Sequence, residues 1–356
     1  MSATRALIVG PAWVGDMVMA HSLFQLLKAR DPDRALDLIA PPATLPLAAR
    51  MPEIADTIAL AIPHGRLALR ERLQLGRRLR ERHYAQAYIL PRSYKSALPA
   101  WASGAARRTG YLGEARYGLV NDIRREPAGG KLKTVERFLL LGLEPGEPLP
   151  EVPAPRLCAD PEAGRRCAER FGIDLTAPLL ALCPGAEYGP AKRWPARHFA
   201  RLARTYHDRG WRVLALGGPR DQEVARAIGT LSEGACANLT GQTTLLEAVD
   251  LLALATAVVS NDSGLMHVAA SLHKPMAAVF GSSDPRHTPP LDDRAVTVTL
   301  GLECSPCFAR TCPLGHLRCL EGLTPGRVEE ALEVTMEAPR ATVGIDSQRR
   351  PLPPSP

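Results

Sequence analysis

Short apolar runs alternate with amphipathic helical stretches along most of this chain, and the alternation occurs twice. In the first half the pattern predicts strands at 5–10, 35–40, 57–62 and 87–90. Helices are expected over 17–30 and in the arginine-rich stretch 64–83. The second half repeats the theme, with strands at 179–183, 212–216, 257–260 and 276–280 and helices at 196–209, 220–231, 245–255 and 263–273. Strands separated by helices of ten or more residues argue for parallel sheets built from right-handed crossover units. Between the halves lies GLEPGEPLPEVPAPRLCADPE, residues 142–162. Its prolines bar a central strand and interrupt any helix, so it reads as a linker, 146–161, between domains 1–145 and 162–338. The expected fold class is α/β, with two Rossmann-like, doubly wound parallel-sheet domains facing a central cleft. In such sheets ligands sit outside the carboxyl ends of the strands. Residues 339–356 have little apolar periodicity and are expected to be a disordered tail.

Charge narrows the partners. Residues 1–160 hold 23 Lys and Arg against 16 Asp and Glu, which accounts for the whole net charge of +7. The first half therefore suits an anionic partner. Its densest part, HGRLALRERLQLGRRLRERH, puts Arg70, Arg77 and Arg80 on one helix face, although a solvated arginine-rich helix is the plainer reading. No apolar run is long enough to cross a bilayer, and the N-terminal run is too short for a signal-peptide core, so the expected location is the cytoplasm.

Four polar turns follow apolar strands. In LIVGPAWVGDMVMA, Asp16 stands where a helix begins; it is either an N-cap or a general base facing a substrate hydroxyl. The glycines Gly10 and Gly15 fit neither GxGxxG nor GxxxxGK[ST], so no nucleotide fingerprint is present. In ALCPGAEYGPAKRWPARHF, Gly185 follows a strand and Lys192 and Arg193 precede a helix, where cations suit a phosphate or simply form a surface pair. After the strand ending at Leu216 come Asp221 and Glu223, placed to complement a helix dipole or to bond a ribose. In VVSNDSGLMHVAA, the strand stops at Asn261-Asp262-Ser263-Gly264 and a helix starts. The backbone N–H groups of Ser263, Gly264 and Leu265 would make an anion site there, with His267 one turn along on the face of Ser263.

Taken together, GPAWVGDMVM, CPGAEYGPAKRWP and SNDSGLMHVAA resemble the ADP-heptose–lipopolysaccharide heptosyltransferases, glycosyltransferase family 9. The resemblance runs from about residue 5 to about residue 336. It implies a GT-B fold, with the acceptor on the first domain and ADP-heptose on the second. The implied reaction is inverting, metal-independent transfer of L-glycero-D-manno-heptose onto the first heptose of the lipid A core, with the heptose-free core as the alternative acceptor. No cofactor is required. Residue by residue, Asp16 matches the catalytic base and Lys192 the basic residue at the phosphates. Asp262 matches the acid that contacts the donor, and Ser263 and Gly264 the helix start at the pyrophosphate. Leu265, His267, Gly185, Asp221 and Glu223 complete the donor side. On the acceptor side stand Arg92 and Lys95 in LPRSYKSALPAW, and Arg107 and Arg116 in RRTGYLGEARYGLVND. A basic first domain is then expected to make peripheral contact with the cytoplasmic face of the inner membrane.

The segment LECSPCFARTCPLGHLRCLEG carries Cys304, Cys307, Cys312 and Cys319. These suit a structural metal by ligand type, but the gaps match no common zinc spacing; reduced thiols and disulfides remain open. Rival functions have definite requirements. A dinucleotide-dependent oxidoreductase needs GxGxxG, which is missing. A zinc-bearing nucleic-acid binder needs a basic surface with aromatic platforms, but aromatics are 5% and the cysteine-bearing half has no net charge, so no nucleic-acid partner is expected. A sugar-nucleotide epimerase of the same fold is the nearest enzymatic alternative. An epimerase would turn over the sugar nucleotide without an acceptor.

Overall fold

The computed structural model describes residues 5–63, 65–127 and 132–337. It comprises two compact units, Met1–Cys158 and Ala159–Pro356. The expected disordered tail lies outside the described residues.

The first unit contains β1 (Arg5–Val9), α1 (Val14–Arg30), β2 (Ala35–Ala40), β3 (Ile54–Ala59), α2 (Leu69–Arg78), β4 (Gln86–Ile89), α3 (Tyr94–Ala102), β5 (Arg107–Tyr111), β6 (Asp122–Arg124) and α4 (Thr134–Leu139). Its six strands are parallel in the order β3-β2-β1-β4-β5-β6. Ala6 to Val9 of β1 are buried, as a central parallel strand covered on both faces requires. The chain leaves β1 toward β2 and returns across the sheet to β4, so the turns after β1 and β4 diverge and open a crevice at their carboxyl ends.

The second unit opens with α5 (Pro161–Arg170) and β7 (Leu179–Cys183), followed by α6 (Ala196–Asp208), β8 (Arg212–Ala215), α7 (Gln222–Leu231), β9 (Ala237–Asn238) and α8 (Leu245–Leu254). Then come β10 (Ala257–Asn261), α9 (Gly264–Ser271), β11 (Met276–Val279), β12 (Ala295–Val298), α10 (Arg318–Glu321) and α11 (Pro325–Glu337). Its sheet order, β12-β11-β10-β7-β8-β9, repeats the topology of the first unit. Here β7 and β10 are the diverging pair, with every residue of both strands buried.

Several boundaries depart from the expected pattern, and three of the departures have a clear physical cause. β3 ends at Ala59 rather than 62 because its partner β2 stops at Ala40, although the alternation Ile58, Leu60, Ile62 runs on. The arginine-rich helix is only Leu69–Arg78, and a tighter turn, Leu79–Arg82, takes Arg80 out of helical register with Arg70 and Arg77. Arg80 Nε instead donates to the Ala102 carbonyl at 2.9 Å. The Pro-rich segment is not a free linker along its first part. The Ser22 hydroxyl donates to Pro153 O at 2.6 Å, and the Gln25 amide to Ala154 O at 3.0 Å. Proline removes a donor but leaves a carbonyl, and α1 uses the carbonyls of Pro153 and Ala154 to hold this stretch against itself.

Candidate active site

In the second unit the turns after β7 and β10 are tied by one buried side chain. Asn261, the last residue of β10, donates from Nδ2 to Pro184 O at 2.7 Å and accepts from the Trp194 N–H at 3.0 Å. Trp194 is fully buried, and its Nε1 donates to Leu323 O at 2.9 Å. Its ring meets Phe199 edge-on at 4.8 Å. With both ends of the turn fastened, the short helical turn Pro190–Lys192 has little freedom, and Lys192 is held over β10. Its ammonium lies 2.5 Å from Asp262 Oδ2. The Ser283 hydroxyl, from the turn after β11, donates to the same oxygen at 2.5 Å.

Ser263 is the N-cap of α9, but its hydroxyl does not cap the helix; it faces Ser260 Oγ at 3.3 Å. The helix therefore presents its first turn, at Gly264 and Leu265, without a side-chain cap beside the Lys192–Asp262 pair. A helix start with a cation next to it is an anion site by geometry and by dipole. Two buried polar atoms nearby, Arg193 Nε after β7 and Ser282 Oγ after β11, have no hydrogen-bond partner among the described residues. His267, one turn into α9, is buried; burial pulls its pKa down to about 4, with Asp262 opposing the shift and Lys192 adding to it. The ring is neutral at physiological pH.

Gly185 and Asp221 meet directly. A Cβ on Gly185 would stand 2.3 Å from the Asp221 carboxylate, so only glycine lets that acid tuck under the turn. Asp221 Oδ2 accepts from Gly218 N at 2.9 Å, and burial raises its pKa. Asp221 thus braces the turns after β7 and β8, whereas Glu223, in the first turn of α7, is exposed.

In the first unit the same topology places Asp16 after β1 and Arg92 and Lys95 after β4, at the divergent pair. Asp16 is not the N-cap of α1. That position is Trp13, and Asp16 is the third helical residue, half-buried in the first turn. Arg92 is exposed, 3.1 Å from Glu126 and 5.3 Å above the Tyr111 ring.

Two acceptor-side expectations need correcting. Arg116 is fully buried, and its guanidinium donates to Pro91 O at 2.8 Å, Ser93 O at 3.2 Å, Ser96 Oγ at 3.0 Å and the Tyr111 carbonyl. Burial, helped by the charge of Arg92, lowers its pKa to about 10, so it stays charged at neutral pH. It shapes the loop after β4 and, being fully buried, offers no donor to a ligand outside. Arg107 opens β5, at the amino end of the strand and opposite the site, and it pairs with Asp122 at 2.8 Å and Glu144 at 2.7 Å. An alternation of apolar and polar residues does not say which end of a strand an arginine will occupy.

Sequence reasoning missed Ser283 and Asn261. Gly281-Ser282-Ser283-Asp284 after β11 has the same glycine-and-polar signature as the four turns singled out, and that signal was available. The structure also closes the disulfide reading, since all eight cysteines are free. The Asp31-Pro32-Asp33 stretch forms a turn between α1 and β2, at the amino ends of the strands.

Two doubly wound parallel sheets with the same strand order, each carrying polar turns at its switch point, are the architecture of a GT-B glycosyltransferase. The chain belongs to glycosyltransferase family 9 (heptosyltransferase), whose profile matches residues 72–318. Lipopolysaccharide heptosyltransferase 2 of Escherichia coli is 40% identical over 343 residues, covering 93% of this chain and 98% of its own length. A solved structure of the E. coli ADP-heptose lipopolysaccharide heptosyltransferase II aligns with a TM-score of 0.84 at 38% identity, over 94% of this chain and 98% of that one. Lipopolysaccharide heptosyltransferase 1 of Pseudomonas aeruginosa is less similar, at 28% identity over 94% of this chain and 99% of its own.

Proposed function

We propose that this protein transfers L-glycero-D-manno-heptose from ADP-heptose to the first heptose of the lipopolysaccharide inner core, with inversion at the anomeric carbon. The observation that carries the reading is the convergence of Lys192, Asp262 and the uncapped start of α9 at the β7/β10 switch point. Asp16 takes the proton of the acceptor hydroxyl as its oxygen attacks the anomeric carbon. The bond from that carbon to the diphosphate breaks on the opposite face, and ADP leaves with the electron pair. Lys192 and the N–H groups of Gly264 and Leu265 stabilise the charge that develops on the diphosphate, where preorganised donors act most strongly. Asp221 and Glu223 stand on the donor side for the ribose, and Arg92 and Lys95 on the acceptor side. The chain's own cations and dipoles supply this stabilisation, so the reading requires no catalytic metal.

The excess positive charge of residues 1–160 supports peripheral contact with the cytoplasmic face of the inner membrane. Among the described residues no helix is long and apolar enough to cross it. Arg70, Arg77 and Arg78 of α2 are exposed for such contact.

The test is ADP release from ADP-heptose, measured with mono-heptosylated core acceptor, with heptose-free core and with neither. Release that needs the mono-heptosylated acceptor and falls roughly 10²–10⁴-fold in Asp16→Ala supports both the reaction and the base. Release with the heptose-free core alone makes this the enzyme of the preceding transfer. Turnover of the sugar nucleotide without acceptor points to epimerase chemistry instead. Undiminished activity in Asp16→Ala removes Asp16 as the base.

A further inference from the structure

The segment joining β12 to α10 holds three of the four clustered cysteines, and α10 holds the fourth. Cys304, Cys307, Cys312 and Cys319 line a single small cavity, together with His316. The chain turns back at Cys312, whose carbonyl accepts from the Gly315 N–H at 3.1 Å.

This segment is fastened to the turn that carries Lys192. The Ala191 N–H donates to Arg310 O at 3.0 Å. A Cβ on Gly189 would stand 2.4 Å from that same carbonyl oxygen, so the two backbones touch there. Tyr188 donates its phenol hydrogen to Phe308 O at 2.7 Å, and its ring has the Lys192 ammonium at 5.1 Å and the Arg310 guanidinium at 5.2 Å. The Phe308 N–H donates to Ser282 O at 2.7 Å, beside Ser283.

We infer that Cys304, Cys307, Cys312 and Cys319 form a structural site for one thiophilic tetrahedral ion, zinc or iron, which staples this segment against the Lys192 turn. Four cysteine sulfurs are the ligand set such ions take in structural sites. Among the described residues no three His, Cys, Asp or Glu side chains are already arranged about one point, so the thiols must turn inward to close on the ion. Each that ligates releases its proton to solvent. Binding of the ion is independent of the donor role proposed for Lys192; only its effect on donor affinity rests on that role.

The deciding experiment is elemental analysis of the full-length protein, followed by Co²⁺ titration of the chelator-stripped chain. We expect about one zinc or iron per chain, and Co²⁺ absorption bands of tetrahedral thiolate coordination. Cys304→Ser with Cys307→Ser should lose the ion; if that variant does not fold, the Co²⁺ titration of the wild-type chain decides. Stripped protein should show a KM for ADP-heptose raised several-fold. Four freely reactive thiols with neither zinc nor iron retained and no Co²⁺ bands overturn the site. A bound ion whose removal leaves the donor KM unchanged overturns its link to Lys192.

Discussion

The Lys192 ammonium and the Asp262 carboxylate, 70 residues apart in sequence, meet at 2.5 Å where the turns after β7 and β10 adjoin. Their side chains are only 17% and 6% exposed, so neither charge is well solvated by water. Asp262 holds the ammonium in place, and Ser283 fixes the carboxylate in turn. Lys192→Met should lower kcat/KM for the donor by roughly 10²–10³. It should also cost about 3 kcal/mol of stability, because it leaves a buried carboxylate without its cation. Adding Asp262→Asn removes that stranded charge. The double variant should therefore recover stability, by urea unfolding, while staying inactive. Recovery of activity together with stability would make the pair purely structural.

Asn261 carries a different burden. Asn261→Ala leaves the Trp194 N–H and the Pro184 carbonyl without their buried partner. Each unsatisfied group costs about 1–3 kcal/mol, so a loss of about 2–6 kcal/mol is expected for the two. Calorimetric titration with ADP should show weaker binding as the Lys192 turn loosens. ADP affinity equal to wild type would show that this turn does not depend on Asn261.

Acid sensitivity should come in part from His267. Burial holds its folded pKa at about 4, against an unfolded value of about 6.5. Between those values the unfolded chain binds a proton that the folded chain refuses. The contribution to stability is full above about pH 6.5 and is lost as pH falls toward 4, with a slope of up to about 1.4 kcal/mol per pH unit. From pH 7 to pH 5 this amounts to about 2 kcal/mol. His267→Gln has no proton to gain, so its unfolding midpoints at the two pH values should differ by correspondingly less. A difference as large as wild type's would assign the sensitivity elsewhere.

The arginines of the first unit divide by burial. Arg116→Met strands the Pro91, Ser93 and Tyr111 carbonyls and should cost about 3–5 kcal/mol. Arg116→Lys should not rescue it, since one ammonium cannot span the carbonyls that a planar fork reaches. Arg92→Ala and Lys95→Ala should stay within about 0.5 kcal/mol of wild type and raise the acceptor KM. An unchanged acceptor KM in both would take those two side chains out of the acceptor site.

Parts of the fold were plain in the sequence for a physical reason. β1, β7 and β10 are covered on both faces, so their residues are nearly all apolar, and the glycines and acids that follow them mark the turns. β5, β6 and β9 escaped notice because RRTGY, DIR and AN are short and polar, and only the neighbouring strand makes them strands. α3 was hidden by Pro99 in its interior, which a packed helix tolerates when its neighbour fits closely. Gly76 of α2 allows that fit, since a Cβ there would lie 2.4 Å from Pro99 O.

By itself the sequence determined the two α/β halves, the polar turns and the charge they carry, because these follow from local periodicity and from residue type. Only the tertiary structure decided which turns adjoin. The crossover that sets β10 beside β7 brings Lys192 to Asp262, Asn261 to Trp194 and Ser283 to the same carboxylate. The same long-range packing buries Arg116 and sends Arg107 to the far end of its strand. Local pattern carries no record of strand order or of which end of a strand faces the ligand, since both are settled by contacts between residues distant along the chain.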